Sequence, residues 1–398
     1  MHLMVVFGTR PEAIKMMPLV LELRSRADIR TTVVSTGQHR RMLDQVFQLF
    51  DQHPDIDLDI MTADQTLPQL TSRVMLEMSN VLAVHKPDRV LVHGDTTTAM
   101  ASALAAFYAR IPVGHVEAGL RSHDLSRPWP EEFNRVAIDS VADMMFAPTE
   151  TSRANLAREY YHAGHIVVTG NTGIDALLHV SRRLEAGTAL ARDITARFSF
   201  LDRTKRLILV TGHRRESFGA GFQSICDSLI SIAARGDVEI VYPVHLNPNV
   251  RGVVEARLSA TPGIFLIDPV EYADMVLLMM RSAILLTDSG GIQEEGPALG
   301  RPVLVMRDVT ERPEAVATGA VELVGTDPCR IRSAVDQLLD DPARYQRRAR
   351  PSFPYGDGTA ARQIVDFITR SSQSTQSSQS TQSSQSTQSS QSTQSRMS

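Results

Sequence analysis

Carboxylates, cations and histidines gather in the first half of this chain wherever an apolar run breaks. The run Arg89–Val92 ends at His93-Gly94-Asp95, and the run Ile111–Val116 ends at Glu117-Ala118-Gly119, with Arg121 close behind. Glu131, Glu132 and Arg135 then open a helical pattern. A third run, Leu3–Phe7, ends at Gly8-Thr9-Arg10-Pro11-Glu12 and brings Arg10 and Lys15 to its own edge. In an open parallel sheet, groups just past the carboxyl ends of strands line the ligand crevice. Asp95, Glu117 and Glu131 are therefore expected on one rim with Arg10, Lys15, Arg121, His93 and His115. Any of these alone would read as a solvated charge. Together they read as acid–base chemistry.

The second half carries a different signal. Thr287-Asp288-Ser289-Gly290-Gly291-Ile292-Gln293-Glu294-Glu295 reads as a strand end, small residues and a helix start. Exposed N–H groups and the positive helix end favour a phosphate or diphosphate there. Ser289 adds a hydroxyl, Gly290 and Gly291 permit close approach, and Glu294 or Glu295 could accept from ribose hydroxyls. Thr211-Gly212-His213-Arg214-Arg215-Glu216 places a histidine and two guanidinium groups at another strand end, suited to phosphate oxygens. Glu311 and Glu314, around Arg312-Pro313, either join this site or complement a helix dipole. Trp129, the single tryptophan, either stacks on a ligand or anchors its loop. His39, His93, His115 and His123 lack the spacing of a metal site, so no metal is expected.

The elements that must hold these groups alternate regularly. Apolar strands are expected at Leu3–Phe7, Thr31–Thr36, Arg89–Val92, Ile111–Val116, Met144–Ala147 and Ile166–Thr169, with helical patterns such as Ala13–Leu23 and Leu67–His85 between them. After a helix near Gly173–Glu185 the pattern loosens through Ala186–Lys205. A second series begins at Leu207–Val210 and continues at Glu239–Tyr242, Ile264–Ile267, Ala283–Leu286 and Val303–Val305. Repeated βα units imply parallel, doubly wound sheets. The expected architecture is α/β, with two Rossmann-like domains facing across a cleft. The first would span 1–170, with a C-terminal helix at 356–370 packing back on it, and the second 171–355. From Ser371 the chain repeats Ser-Ser-Gln-Ser-Thr-Gln and is expected to stay disordered, having too little apolar surface to offset ordering entropy.

Composition narrows the class. With 398 residues, 42% of them hydrophobic, and a net charge of -4, the chain suits buried cores and argues against a general nucleic-acid or membrane-surface role. Two cysteines without metal spacing fit a reducing, cytoplasmic compartment. The N-terminus lacks the flank of a signal peptide, and no run approaches the ~18–20 apolar residues of a membrane span.

Read as motifs, the chain resembles the bacterial non-hydrolysing UDP-N-acetylglucosamine 2-epimerases. The resemblance rests on FGTRPEAIKM from Phe7, GQHRRMLDQ from Gly37, HGDTTTAMA from His93, GHVEAGLRS from Gly114 and RPWPEEFNR from Arg127. It continues through TGNTGIDALL from Thr169, TGHRRESFG from Thr211, VYPVHLNPNV from Val241, the long stretch from Leu285 to Ala315, and PYGDG from Pro354. It implies a glycosyltransferase-B-like fold, with UDP held mainly by the second domain, and interconversion of UDP-GlcNAc and UDP-ManNAc without metal or nicotinamide cofactor. A homodimer is implied too, and activation by a second substrate molecule in the cleft. By position, Arg10, Lys15, Asp95, Glu117, His213, Ser289, Gly290, Gly291, Glu295 and Arg312 match residues that contact the nucleotide sugar in the family. Asp95, Glu117, Glu131 and His213 match its acid–base set. One departure lies around the uridine, where some relatives carry a glutamine in place of Val270 and an aromatic near Met275; backbone groups would then hold the base.

The route implied by the resemblance is elimination of UDP to 2-acetamidoglucal and re-addition with protonation from the other face. Three rivals share part of the pattern: a UDP-sugar glycosyltransferase, a hydrolysing 2-epimerase that releases ManNAc, and a nucleotide-sugar-binding regulator without turnover.

Overall fold

The structure, a computed structural model, describes residues 1–37, 40–62, 64–159, 165–214 and 217–373. Gln38, His39, Arg215, Glu216 and most of the Ser/Gln/Thr repeat therefore lie outside the described residues.

The first half runs β1 (His2–Phe7), α1 (Arg10–Arg24), β2 (Arg30–Ser35), α2 (Arg40–Phe50), β3 (Ile56–Asp57), α3 (Leu67–His85), β4 (Arg89–His93) and α4 (Thr97–Tyr108). It continues with β5 (Val113–Val116), α5 (Glu131–Val141), β6 (Met144–Ala147), α6 (Glu150–Glu159), β7 (His165–Val168) and α7 (Thr172–Glu185). The second half holds α8 (Ala189–Arg197), β8 (Arg206–Thr211), α9 (Ala220–Ala233), β9 (Val238–Pro243), α10 (Pro248–Leu258), β10 (Ile264–Ile267), α11 (Tyr272–Arg281) and β11 (Ser282–Thr287). It closes with α12 (Gly290–Ala298), β12 (Val303–Val305), α13 (Pro313–Ala317), β13 (Val321–Leu323), α14 (Pro328–Asp340) and α15 (Pro342–Arg348). A last helix, α16, covers 360–373.

Two sheets result, of seven strands in the order β3-β2-β1-β4-β5-β6-β7 and six in the order β10-β9-β8-β11-β12-β13. Every strand pairing among the described residues is parallel. The fold is thus α/β, with two doubly wound units. The strand order reverses between β1 and β4 in the first sheet and between β8 and β11 in the second. Those switch points open a crevice beyond the strand ends, which is where the polar turns of the sequence fall.

Local chemistry explains the turns. Thr9 caps α1 with a reciprocal capping box to Glu12, and Pro11 occupies the first helical turn, where a missing N–H costs nothing. Thr96 caps α4 by accepting from Ala99 N, and Asn171 caps α7 by accepting from Gly173 N. Strand β1 alternates: Leu3, Val5 and Phe7 enter one core, Met4 and Val6 the other. The core holding Leu3, Val5 and Phe7 does not stop at the first unit. It runs through Ile174, Leu177 and Val180 of α7 to Leu209, Val241, Leu285 and Val303 on the second sheet.

The two ends of the stretch 171–355 lie side by side. Asn171 N donates to Tyr355 O at 2.6 Å, and a Cβ on Gly170 would meet the Gly356 Cα at 2.7 Å. Helix α16 lies on the first unit: Phe367 meets Phe146 edge-on at 6.1 Å, and Asp366 pairs with Arg26 at 2.7 Å. The segment 186–205, where the sequence pattern loosens, holds α8, which buries Ala191 and Ile194. Strands β3 and β13, of 2 and 3 residues, were not anticipated. Among the described residues no helix is long and apolar enough to cross a membrane.

Candidate active site

A cavity of about 670 Å³ opens between the two units. The turns after β1, β4 and β5 and the start of α5 supply one wall: Glu12, Lys15, His93, Asp95, Glu117 and Glu131. The opposite side is lined by Arg214, Arg307, Glu311 and Arg312. Carboxylates thus face guanidinium groups across one space.

Glu117 is the most constrained of them. It is buried, and its backbone is left-handed, with φ of 66°, a conformation costly for a side chain with a Cβ. Lys15 Nζ donates to both of its oxygens, at 2.8 and 2.7 Å. His93 Nε2 approaches Oε2 at 2.8 Å, off the line of an aligned hydrogen bond. Burial pushes the Glu117 carboxyl up, but the Lys15 and His93 charges outweigh it and hold the group well below the usual carboxylate range. Glu117 is therefore ionised. Lys15 is stabilised as a cation in turn, the carboxylates of Glu117 and Glu294 overcoming its burial.

Asp95 sits in a different setting. Its carboxylate pairs with Arg135 Nη2 at 2.5 Å, and its carbonyl accepts from Asn134 Nδ2 at 2.9 Å. Glu131, half-buried in the first turn of α5, lines the same cavity.

The opposite wall is organised by Asp288, whose Oδ2 accepts from the backbone N–H groups of His213 and Arg214 at 2.7 and 2.8 Å. Ser289 takes the N-cap position of α12 without a side-chain capping bond. A Cβ added to Gly290 would lie 3.8 Å from Arg312 Nη2 and 4.0 Å from Arg214 Nη2, so the first turn of α12 opens toward both guanidinium groups. A helix N-terminus facing two arginines is a cradle for a diphosphate. Glu311 lies 3.4 Å from Arg307 and 3.9 Å from Arg214. The His213 ring stacks on His245 at 5.3 Å; burial lowers its pKa, with His245 and Arg214 adding to the effect against the pull of Asp288.

Between the walls runs a buried bridge. Asn171 Nδ2 donates to Glu294 Oε2 at 2.7 Å and lies 3.4 Å from Glu117 Oε1, while Glu294 also accepts from Arg312 Nε. The arginine of one wall and the glutamate of the other share one polar chain.

The structure gathers Lys15, Asp95, Glu117, Glu131, Arg214 and Arg312 around this cavity. Gly290 borders Arg312 and Arg214, and Gly291 follows it, exposed, in the first turn of α12. Arg10 lines a separate cavity of about 390 Å³ with Tyr272 and Glu271. Glu295 turns to Tyr272, whose hydroxyl donates to it at 3.0 Å; burial and neighbouring Glu294 raise its carboxyl to about 7. Val270 and Met275 pack partly into the core. His213 is absent from the cavity lining but adjoins Arg214.

Several residues play parts unlike those their spacing implied. His115 is fully buried and bonded to Asp139, away from the rim. Arg121 borders the cavity but is committed to Asp139 and Glu159. Glu294, read as a partner for ribose, is taken by Arg312 and Asn171. Glu314 accepts from the Tyr355 hydroxyl at 2.9 Å, and Trp129 is exposed. Glu12 and Asn171 were missed. The signal for Asn171 was there, a helix cap at the start of α7, and for Glu12 a capping box directly after the first strand.

Comparison with known proteins bears on the same residues. A family model described as UDP-N-acetylglucosamine 2-epimerase matches residues 21–369. The UDP-N-acetylglucosamine 2-epimerase of Escherichia coli O157:H7 is 54% identical over 367 residues, covering 92% of this chain and 98% of that one. A crystal structure of UDP-GlcNAc 2-epimerase from Neisseria meningitidis bound to UDP-GlcNAc superposes with a TM-score of 0.86 at 47% identity, covering 93% of this chain and all of the other. The Methanocaldococcus jannaschii enzyme in complex with UDP-GlcNAc and UDP follows at 33% identity and a TM-score of 0.77, again covering 93% and 100% of the two chains. Sequence and fold agree, and the chain belongs to the UDP-N-acetylglucosamine 2-epimerase family.

Proposed function

We propose that this protein interconverts UDP-GlcNAc and UDP-ManNAc at C2 without hydrolysis. The observation that carries the reading is the single cavity with Asp95, Glu117 and Glu131 on one wall and Arg214 and Arg312 on the other. The C2 proton of the sugar is a poor acid, so its removal must be coupled to loss of a good leaving group. A carboxylate takes the proton, the C2–H electrons become the C1=C2 bond of 2-acetamidoglucal, and the C1–O electrons leave with UDP. The reverse addition, with a proton delivered to the other face of C2, gives the epimer. General acid–base groups contribute roughly 10²–10⁴-fold, and arginines on the departing diphosphate stabilise the charge that develops there. Glu117, Asp95, Glu131 and His213 form the acid–base set in this reading, while Lys15, Arg214, Arg312, Ser289, Gly290 and Gly291 hold the diphosphate end. Arg10, Glu295, Val270 and Met275 belong to the nucleoside end.

The same reading places the protein in the cytoplasm, as its two free thiols allow, supplying UDP-ManNAc for a bacterial surface polysaccharide. It assigns a homodimer, for which exposed Leu76, Val84, Phe107 and Tyr108 on α3 and α4 offer an apolar face, and activation by a second substrate molecule. Support for the substrate comes from the relatives whose structures hold UDP-GlcNAc.

The test is incubation with UDP-GlcNAc in D2O, followed by NMR at C2. UDP-ManNAc and UDP-GlcNAc at equilibrium, both deuterated at C2, is the expected result. Free ManNAc would mark a hydrolysing enzyme, and an acceptor requirement without exchange a glycosyltransferase.

A further inference from the structure

His115 occupies the middle of β5 with no exposed surface and is absent from the cavity lining. Its two ring nitrogens nevertheless have defined partners. Nδ1 lies 2.5 Å from Asp139 Oδ1, and Nε2 lies 2.7 Å from the carbonyl oxygen of Gly94. Asp139 is also fully buried, and its second oxygen accepts from Arg121 Nη2 at 2.8 Å. Arg121 passes on to the exposed Glu159 at 2.8 Å.

The chemistry of the partners fixes the hydrogens. A carbonyl oxygen only accepts, and so does a carboxylate. Burial pushes the Asp139 carboxyl up, but His115 and Arg121 outweigh it and keep the group ionised. Nε2 therefore carries a hydrogen and donates it to the Gly94 carbonyl.

What the His115 ring holds is the turn that carries Asp95. Gly94 has φ of 64°, and a Cβ there would find nothing nearer than a Glu117 oxygen at 4.0 Å. Packing does not decide how the Gly94–Asp95 peptide is oriented; hydrogen bonds do. The Gly94 N–H donates to Val116 O at 2.9 Å. The Asp95 carbonyl accepts from Asn134, and its carboxylate is held by Arg135. On the other side the Thr96 hydroxyl donates to Glu12 at 2.7 Å. Among the described residues, His115 is the partner that fixes the Gly94 carbonyl itself.

We propose that His115, held by the buried Asp139 carboxylate, is a positioning residue that sets the aim of Asp95 by anchoring the Gly94 carbonyl. The proposal rests on the reading of Asp95 as an acid–base group at C2. Misplacing a reacting group by about 1 Å can cost on the order of 10²-fold in rate, and that loss falls on turnover rather than on UDP binding, whose proposed contacts lie, Lys15 aside, on the opposite wall.

The test combines His115→Gln and Asp139→Asn with Asp95→Asn. His115→Gln should lower kcat by roughly 10²-fold, leave KM for UDP-GlcNAc and the stoichiometry of UDP binding unchanged, and add no further loss to Asp95→Asn. In ¹⁵N NMR of the unmodified protein, His115 Nε2 should carry a proton, and Asp139→Asn should lower kcat in the same direction as His115→Gln. Wild-type kcat in His115→Gln, or a loss that multiplies with that of Asp95→Asn, overturns the proposal. So does an unprotonated His115 Nε2 in the NMR spectrum, which decides the matter even where His115→Gln does not fold. If Asp95→Asn itself keeps full turnover, the reading of Asp95 falls and the positioning role falls with it, an outcome distinct from failure of His115 alone.

Discussion

Glu117 and Asp95 are both carboxylates on one wall, yet their surroundings ask different things of them. Glu117 is clamped by Lys15 and His93 in a left-handed backbone, while Asp95 answers to one arginine. Asp95→Asn and Glu117→Gln are each expected to cut turnover by about 10²–10⁴-fold with UDP affinity near normal, measured by NMR turnover and calorimetric titration. Unchanged turnover in both would remove the acid–base assignment. Glu295 gives a pH-dependent handle. Its carboxyl, raised to about 7 by burial, is neutral below that pH and ionised above it. If it accepts from ribose hydroxyls, KM for UDP-GlcNAc should fall as pH rises through about 7, and Glu295→Gln should flatten that dependence. Steady-state kinetics from pH 6 to 8 would show it. At this scale the sequence was readable where a residue faces the crevice directly from a strand end, as with Asp95, Glu117 and Arg312. It misassigned His115, Arg121 and Glu294, whose partners Asp139, Glu159 and Asn171 lie on other elements.

Elements legible from the sequence were those with a strong pattern and a clear stop. Leu67–His85 ends where Lys86 takes a left-handed conformation, and it was read with the bounds the structure has. Helix α8 escaped because it buries little, and β3 and β13 because 2 or 3 residues carry no alternation. Helix α16 is tied at its start by a device that no local pattern reveals. Asp175 on α7 accepts from the backbone N–H groups of Ala360 and Ala361 at 3.3 and 2.9 Å. Its pKa is nevertheless raised, from 3.8 to about 6, because burial exceeds what those bonds return. A carboxyl raised in the folded state favours folding at low pH, and that contribution is lost as pH climbs through the folded value. Wild-type stability relative to Asp175→Asn should therefore decline by roughly 3 kcal/mol between pH 4 and pH 7, read from urea unfolding of the two proteins side by side. A constant difference across that range would exclude the titration of Asp175 as its source.

At the scale of the molecule, the apolar cluster running through α7 joins the two sheets into one folding unit. Leu177 belongs to that cluster and is fully buried. Leu177→Ala should cost about 2–5 kcal/mol and lower a single calorimetric transition, where independent units would show two peaks with only one displaced. Two sheets in series were visible in the repeating βα pattern. Their shared core was not, because the residues that make it are apolar in any arrangement and become a joint core only through the docking of α7.

The adjacency of the two ends of the stretch 171–355 has a further consequence for how this chain can be rearranged. Asn171 and Tyr355 exchange a backbone hydrogen bond, so the stretch between them enters and leaves at one spot, as an insert does. Inserts with neighbouring ends are the kind that tolerate excision, grafting and permutation. A short graft from Gly170 to Gly356 would preserve the path of the first sheet and of α16. The same graft would remove α7, however, and strip the apolar face of α1 against which it packs. A swap of nucleotide-binding halves between relatives would therefore keep α7 with its host and place the upstream junction beyond it, before β8.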